Sequence, residues 1–339
     1  MAFRIHSLRS GLVLGVIICN SLVDSVQAQE TKPNETPAIP DDGGQILFRI
    51  IPERDVLAPY QPLYLKLTLS NSSTKNITIP QAFQVSGVRF RIAEEGYFER
   101  TFSSGERFFR NEATIPAGKS VAAFTAVSRD ETPPHPRRSP PRIFDLPASY
   151  ELRVMSGAID YLDTTEFISN PAIIRVRKPN EDEVIAGEIM KEVAHGPPYI
   201  YTGKPDIKFV EILREFLSKY RTSVFADDFK LLLGSRLREM TTFRADEQNY
   251  GNPAIRAESI QIQMTVDVKR TWVRRMAIAA LPMQDLCNPQ IQAHLNVREI
   301  LNQWKAHPPH DPDDKIIAAT LREWVPKIEA SLAAAAAPK

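Results

Sequence analysis

Cysteine is nearly absent: the 339 residues contain two. Cys19 lies in an N-terminal segment expected to be cleaved, which leaves Cys287 alone and excludes an intramolecular disulfide. Burial, not covalent stapling, must hold the fold. An excess of one charge is also missing, since 42 basic residues face 41 acidic ones for a formal +1. No global field draws such a chain to nucleic acid or to an anionic membrane, so neither is expected as a partner. Long apolar runs are lacking too. The stretch from Gly11 to Val23 is interrupted by Asn20 and Ser21 and is too short to span a bilayer of roughly 30 Å, which predicts no stable transmembrane span. Nor does the chain carry an HExxH helix, a CxxC pair, a GxSxG elbow, a Walker loop or a GxGxxG turn. No catalytic residue and no cofactor is therefore assigned, and the chain reads as a non-enzyme.

What is present starts with a targeting pattern. Arg4 and Arg9 precede the apolar run Leu12 to Ile18, and Val26-Gln27-Ala28 offers small residues for cleavage near Ala28. Residues 1–28 thus read as a signal peptide, and the product is expected to be periplasmic or secreted. Ile18 stands where a lipid-modified Cys19 would need a small residue, which argues against lipidation. Residues 29–44, polar and rich in Pro and Gly, read as a flexible leader. The sequons at Asn34, Asn71 and Asn76 are discounted as chance triplets.

Over residues 45–178 apolar residues recur with a period of two. Leu63, Leu65, Leu67 and Leu69 alternate with Tyr64, Lys66, Thr68 and Ser70; Ile46, Phe48 and Ile50 repeat the pattern, as do Val88, Phe90 and Ile92 around Arg89 and Arg91. Further strands fit 121–127, 150–154 and 172–176. Turn clusters at Asn71-Ser72-Ser73, Glu94-Glu95-Gly96, Ser103-Ser104-Gly105 and Ala117-Gly118 separate them. The fold class predicted is multidomain, β then α: an antiparallel β-sandwich followed by a helical C-terminal region over 179–339.

After Pro179 the spacing becomes helical. Asn180 before Glu181, Asp182 and Glu183 is a capping-type start. Phe209, Leu213, Phe216 and Tyr220 share one helical face, and Phe225, Phe229, Leu232, Leu233, Leu237 and Met240 share another, so the two helices are expected to pair. Asn288-Pro289 and Asp311-Pro312 are read as the openings of two more helices, the first carrying Ile300, Leu301 and Trp304. Residues 260–268 alternate strictly between apolar and polar, which predicts a strand; the helical spacing of Trp272, Met276 and Ala280 keeps a helix as the alternative. The alanines from 333 onward are expected to fray. Glu188, Lys191 and Glu192, like Arg236, Arg238 and Glu239, read as solvated helix faces, and the three tryptophans as core.

The strand end at 63–73 (LYLKLTLSNSS), the turn Ile115-Pro116-Ala117-Gly118-Lys119, the run 146–153 (LPASYELR) and Ser169-Asn170-Pro171 leading into 173–176 resemble the immunoglobulin-like domains of exported bacterial proteins, including the proteinase inhibitor family BsuPI. The chain lacks that family's usual Gly before the tyrosine and adds a helical half. The resemblance implies an immunoglobulin-like sandwich over about residues 45–178.

Two segments attract functional readings. The Pro-rich loop 130–142, with His135, Arg137, Arg138 and Arg142, reads as an extended partner-binding arm. His307, His310 and Asp311 place imidazoles and a carboxylate close together, a candidate metal set that competes with a plain helix-capping connection. Cys287 lacks a nearby histidine and reads as a partly buried thiol. The expected function is that of an exported non-enzymatic interaction or scaffold protein of the envelope with a protein partner. Alternatives are a protease inhibitor, motivated by the resemblance, and a hydrolase with a metal-dependent site.

Overall fold

The computed structural model describes residues 46–79, 83–92, 99–101, 113–127, 144, 146–158, 166–195, 207–242, 251–309 and 314–336. These form a β unit ending at Pro179 and a helical unit starting at Asn180.

The strands are β1 (Ile46–Pro52), β2 (Val56–Leu57), β3 (Leu63–Asn71), β4 (Ile77–Ile79), β5 (Phe83–Ile92), β6 (Glu99–Thr101), β7 (Ala113–Ile115), β8 (Ser120–Val127), β9 (Ser149–Ala158), β10 (Glu166–Ile168) and β11 (Ala172–Val176). One sheet has the order β1-β3-β8; a larger one runs β2-β11-β9-β5-β6, with β10 also on β9; β4 and β7 form a separate pair. All pairings are antiparallel except β2 with β11. Inward residues of both larger sheets share one core: Leu65, Leu67 and Leu69 from β3, Leu152 and Val154 from β9, and Ile174 from β11, joined by Ile79 and Ile115. Each such side chain stabilises the unit by about 1.5–3 kcal/mol relative to exposure.

The predicted alternation holds along β1, where Phe48 and Ile50 are buried and Leu47, Arg49 and Ile51 are exposed. Along β3 it is incomplete, because Tyr64 and Lys66 on the opposite face are buried as well. The unpaired side of β1 is blunted. Ile50 donates its backbone N–H to Oδ1 of Asn170 at 2.9 Å, and Pro52 has no N–H to offer an incoming strand. The sequon at Asn71 is closed. Its Nδ2 donates to the carbonyls of Lys75 at 2.8 Å and Ile115 at 2.9 Å, and the side chain is buried.

The helices are α1 (Glu181–His195), α2 (Ile207–Lys219), α3 (Ala226–Thr242), α4 (Pro253–Met264), α5 (Thr271–Ala280), α6 (Pro289–Gln292), α7 (Val297–Ala306) and α8 (Lys315–Ala336), with a 3₁₀ turn at Met283–Cys287. The capping box at α1 forms as expected: Asn180 N donates to Glu183 Oε2 at 3.0 Å and Glu183 N to Asn180 Oδ1 at 3.1 Å. The predicted pairing of α2 with α3 is made through Phe216 and Phe229, whose rings lie 4.7 Å apart in an edge-on arrangement.

Four expectations are corrected. The strand predicted over 260–268 is not formed, because Asn252 caps a helix opened by Pro253 and running to Met264. Of the alternating polar residues, Gln261, Thr265 and Asp267 are exposed, but Gln263 is buried against α3, beside the buried Ser259. Asn288-Pro289 opens only the four-residue α6; Ile300, Leu301 and Trp304 belong to α7, capped by Asn296. The last helix starts at Lys315 on Asp314, whose Oδ1 accepts from Ile317 N at 3.1 Å, and not on Asp311-Pro312. The alanines at 333–336 are helical, in keeping with alanine's first rank as a helix former.

Candidate interaction surface

The larger sheet turns one face to the core and one outward. On β9, Tyr150, Leu152 and Val154 are buried in the core, so Glu151 and Arg153 belong to the outer face. On β11 the exposed Ile173 and Arg175 alternate with buried Ala172, Ile174 and Val176. Pairing extends this face in both directions. Ile173 stands opposite Glu151, Arg175 opposite Val56 of β2, and Ile168 of β10 opposite Met155. On the other side of β9, Arg89 stands opposite Arg153 and Arg91 opposite Glu151, while Arg89 also pairs with Arg100 of β6.

Two kinds of residue therefore share the face. At its β2-β11-β10 margin, Val56, Ile168 and Ile173 are exposed by 37%, 44% and 52%, more than the outer face of a solvated sheet needs. Inward from that margin come the arginines. Arg153 donates through Nε to Glu151 Oε1 at 3.1 Å, and Arg175 lies 3.7 Å from Asp55 at the rim.

In the helical unit, Arg236, Arg238 and Glu239 do not form the solvated face expected of them. Arg236 is buried and pairs with Glu239 one turn on, Arg238 donates to the carbonyl of Ala280, and Arg256 lies 3.2 Å from Asp285. Burial pushes the Glu239 carboxyl up against the opposing pull of Arg236, pushes Asp285 up likewise, and pushes the guanidinium of Arg238 down. Arg274 is buried as well, and no carboxylate among the described residues pairs with it. These contacts tie α3 to α5, and α4 to the 3₁₀ turn, and so hold the unit together. Of the tryptophans, Trp304 is buried and Trp272 and Trp324 are half-buried, with Lys327 Nζ 4.5 Å from the Trp324 ring centre.

Of the candidate partner-binding and metal-binding residues, only His307 lies among the described residues. His307 is an exposed residue at the C-terminal end of α7, and His310 and Asp311 lie outside the described residues. Among the described residues no group of His, Cys, Asp and Glu can hold a metal ion. His135, Arg137, Arg138 and Arg142, and residues 1–28, also lie outside the described residues. No helix among the described residues is long and apolar enough to cross a membrane. The outer-face arginines were missed, although Arg89 and Arg91 in the β5 alternation, Arg153 in Leu-Arg-Val and Arg175 in Ile-Arg-Val each stand between apolar neighbours.

No family model matches the chain, and no curated protein matches it. Solved structures with a similar arrangement include a CARDB domain from Pyrococcus furiosus, 9% identical, covering 39% of this chain and 94% of that one at a TM-score of 0.23. The sporulation control protein Spo0M from Bacillus subtilis is 11% identical, covering 44% of this chain and 56% of that one at 0.23. A β-glucosidase from Erythrobacter marinus is 12% identical, covering 39% of this chain and 15% of that one at 0.22. Likeness at this level carries no functional argument.

Proposed function

We propose that the chain is an exported, non-enzymatic interaction protein of the cell envelope whose β unit, an immunoglobulin-like sandwich, binds a protein partner on the outer face of its larger sheet. The observation that carries this reading is the exposed apolar margin of Val56, Ile168 and Ile173. Single exposed apolar residues need no explanation; three on one face, on the paired strands β2 and β11 and on β10 beside β9, are the pattern of a contact surface. The immunoglobulin-like reading is supported by Tyr150, whose hydroxyl donates to the carbonyl of Leu146 at 3.0 Å. A tyrosine at a strand start bonded to the backbone a few residues upstream is a hallmark of such sandwiches. Export is supported by the basic, apolar and small-residue order of residues 1–28.

Crosslinked affinity capture from the native envelope fraction tests the proposal. The wild-type chain is expected to retain a discrete protein partner that a folded variant carrying Ile168→Asp and Ile173→Asp does not. Equal recovery by both chains would reject this face as the contact surface.

A further inference from the structure

The helical unit buries three arginines close together in sequence and pairs only two of them with acids. Arg270 at the N-cap of α5 and Arg274 and Arg275 within it are exposed by 4%, 5% and 4%. Arg270 lies 3.7 Å from Asp228, and Arg275 lies 2.8 Å from Asp314. Arg274 differs from both. Its backbone N–H donates to the Arg270 carbonyl at 2.8 Å, but its guanidinium has no hydrogen bond or ion pair among the described residues. Burial pushes that guanidinium down, and no neighbouring charge opposes the push. A buried charge is ordinarily paired, because the desolvation of an ion is offset only by a partner at contact distance.

We infer that Arg274 is the receptor for one small oxyanion, a carboxylate or phosphate group held on the two-pronged face of its guanidinium. The site lies in the helical unit and stands apart from the outer-face reading of the β unit. Access supports it. None of the Arg274 nitrogens is sealed from solvent, in contrast to Nε of Arg236 and of Arg256, so the fork ends at a narrow opening that an ion can reach. The helix supports it as well. α5 starts without a side-chain cap and without an acidic residue in its first turn, so nothing in α5 itself offsets the positive end of its dipole. Helical side chains lean toward the N-terminus, which carries Arg274, in the second turn, toward that end. Charge and shape then set the class of ligand. A guanidinium offers two parallel N–H donors to two oxygens of one group, a match that chloride cannot make. With Arg270 and Arg275 already matched, one cation remains, which suits a single oxyanion group and not a polyanion such as nucleic acid.

The test measures the melting temperature of the full mature chain in phosphate, in acetate and in chloride at one ionic strength, for the wild type and for Arg274→Met. At least one oxyanion is expected to raise the wild-type value by about 2–4 °C over chloride, as a ligand bound only by the folded state does. Whichever does so fixes the group as phosphate or carboxylate. General salting effects act on both chains alike. Arg274→Met keeps a buried apolar stem and removes the charge, so its melting temperature in chloride is expected to stay level or rise while its oxyanion response is lost. The Nε–H NMR signal of Arg274, followed while the stabilising oxyanion is titrated into the wild type, gives a readout independent of unfolding and is expected to shift saturably. No oxyanion response in the wild type, an equal response in Arg274→Met, or an Nε–H signal that does not move would overturn the inference. A marked fall in the chloride melting temperature of Arg274→Met would also overturn it, by giving Arg274 a structural role.

Discussion

Arg275 on α5 donates through Nε to Oδ2 of Asp314 at 2.8 Å, and both side chains are buried. The other carboxylate oxygen of Asp314 caps α8 through Ile317 N, so one residue joins two helices and starts the second. Removing one member of a buried pair leaves an uncompensated charge. Arg275→Met is expected to cost about 3–5 kcal/mol in chemical denaturation of the helical unit. Adding Asp314→Ser, which keeps a capping oxygen, is expected to recover most of that loss. A double variant no more stable than the single one would contradict the pairing argument.

Gly234 governs how closely α3 approaches α4. A Cβ placed there would lie 2.5 Å from Gln263 Cγ, and Ser259 Oγ donates to the Gly234 carbonyl at 2.6 Å. Gly234→Ala therefore loses stability despite a helix-propensity gain of about 1 kcal/mol. The overpacking cost is of order 1–3 kcal/mol. Combining it with Gln263→Ala removes the clash, and denaturation of the two singles and the double should show favourable coupling. Strict additivity would contradict the close approach.

Glu239 and Asp285 set a pH dependence. Burial raises both carboxyls above their ordinary values. The unfolded chain then ionises first as pH rises, so the stability these groups contribute is present below the ordinary carboxylate pKa and is lost as pH climbs through the raised folded values. Mild acidification from neutrality should stabilise the helical unit. Glu239→Gln should flatten that gain, as read from melting temperature against pH, and an unchanged profile would show that Glu239 does not drive it.

Cys287 is half-buried at the end of the 3₁₀ turn, and its carbonyl accepts from Ser331 Oγ at 3.0 Å. Burial pushes its thiol up, with Lys327 opposing. A thiol held protonated reacts slowly. Alkylation of the native chain at neutral pH is expected to lag well behind that of the denatured chain; equal rates would refute this.

The order of strands before helices was legible because buried residues recur with a period of two: Phe48 and Ile50 on β1, and Ala172, Ile174 and Val176 on β11, follow it without exception. Tyr64 and Lys66 escaped notice, since a pattern that assumes one buried face cannot announce a second. The α4 segment misled because alternation over a few residues also fits a helix, and the signal that decided it, Asn252 capping a helix opened by Pro253, lies upstream of 260–268. Arg236 and Glu239 pair at one-turn spacing, and a sequence pattern cannot tell such a pair from two solvated charges. The arginine row is a matter of register. Arg89 and Arg100 lie on consecutive strands, but Arg153 comes from the distant β9, and only pairing sets it opposite Arg89.

Site-specific photo-crosslinking shows whether the outer face of the larger sheet meets a protein partner. A photoreactive residue at Ile173, on the exposed margin of the larger sheet, is compared in the native envelope with one at Glu323, exposed on α8. A defined protein adduct is expected from position 173 and not from position 323. No adduct at 173, or the same adducts from both positions, would contradict it.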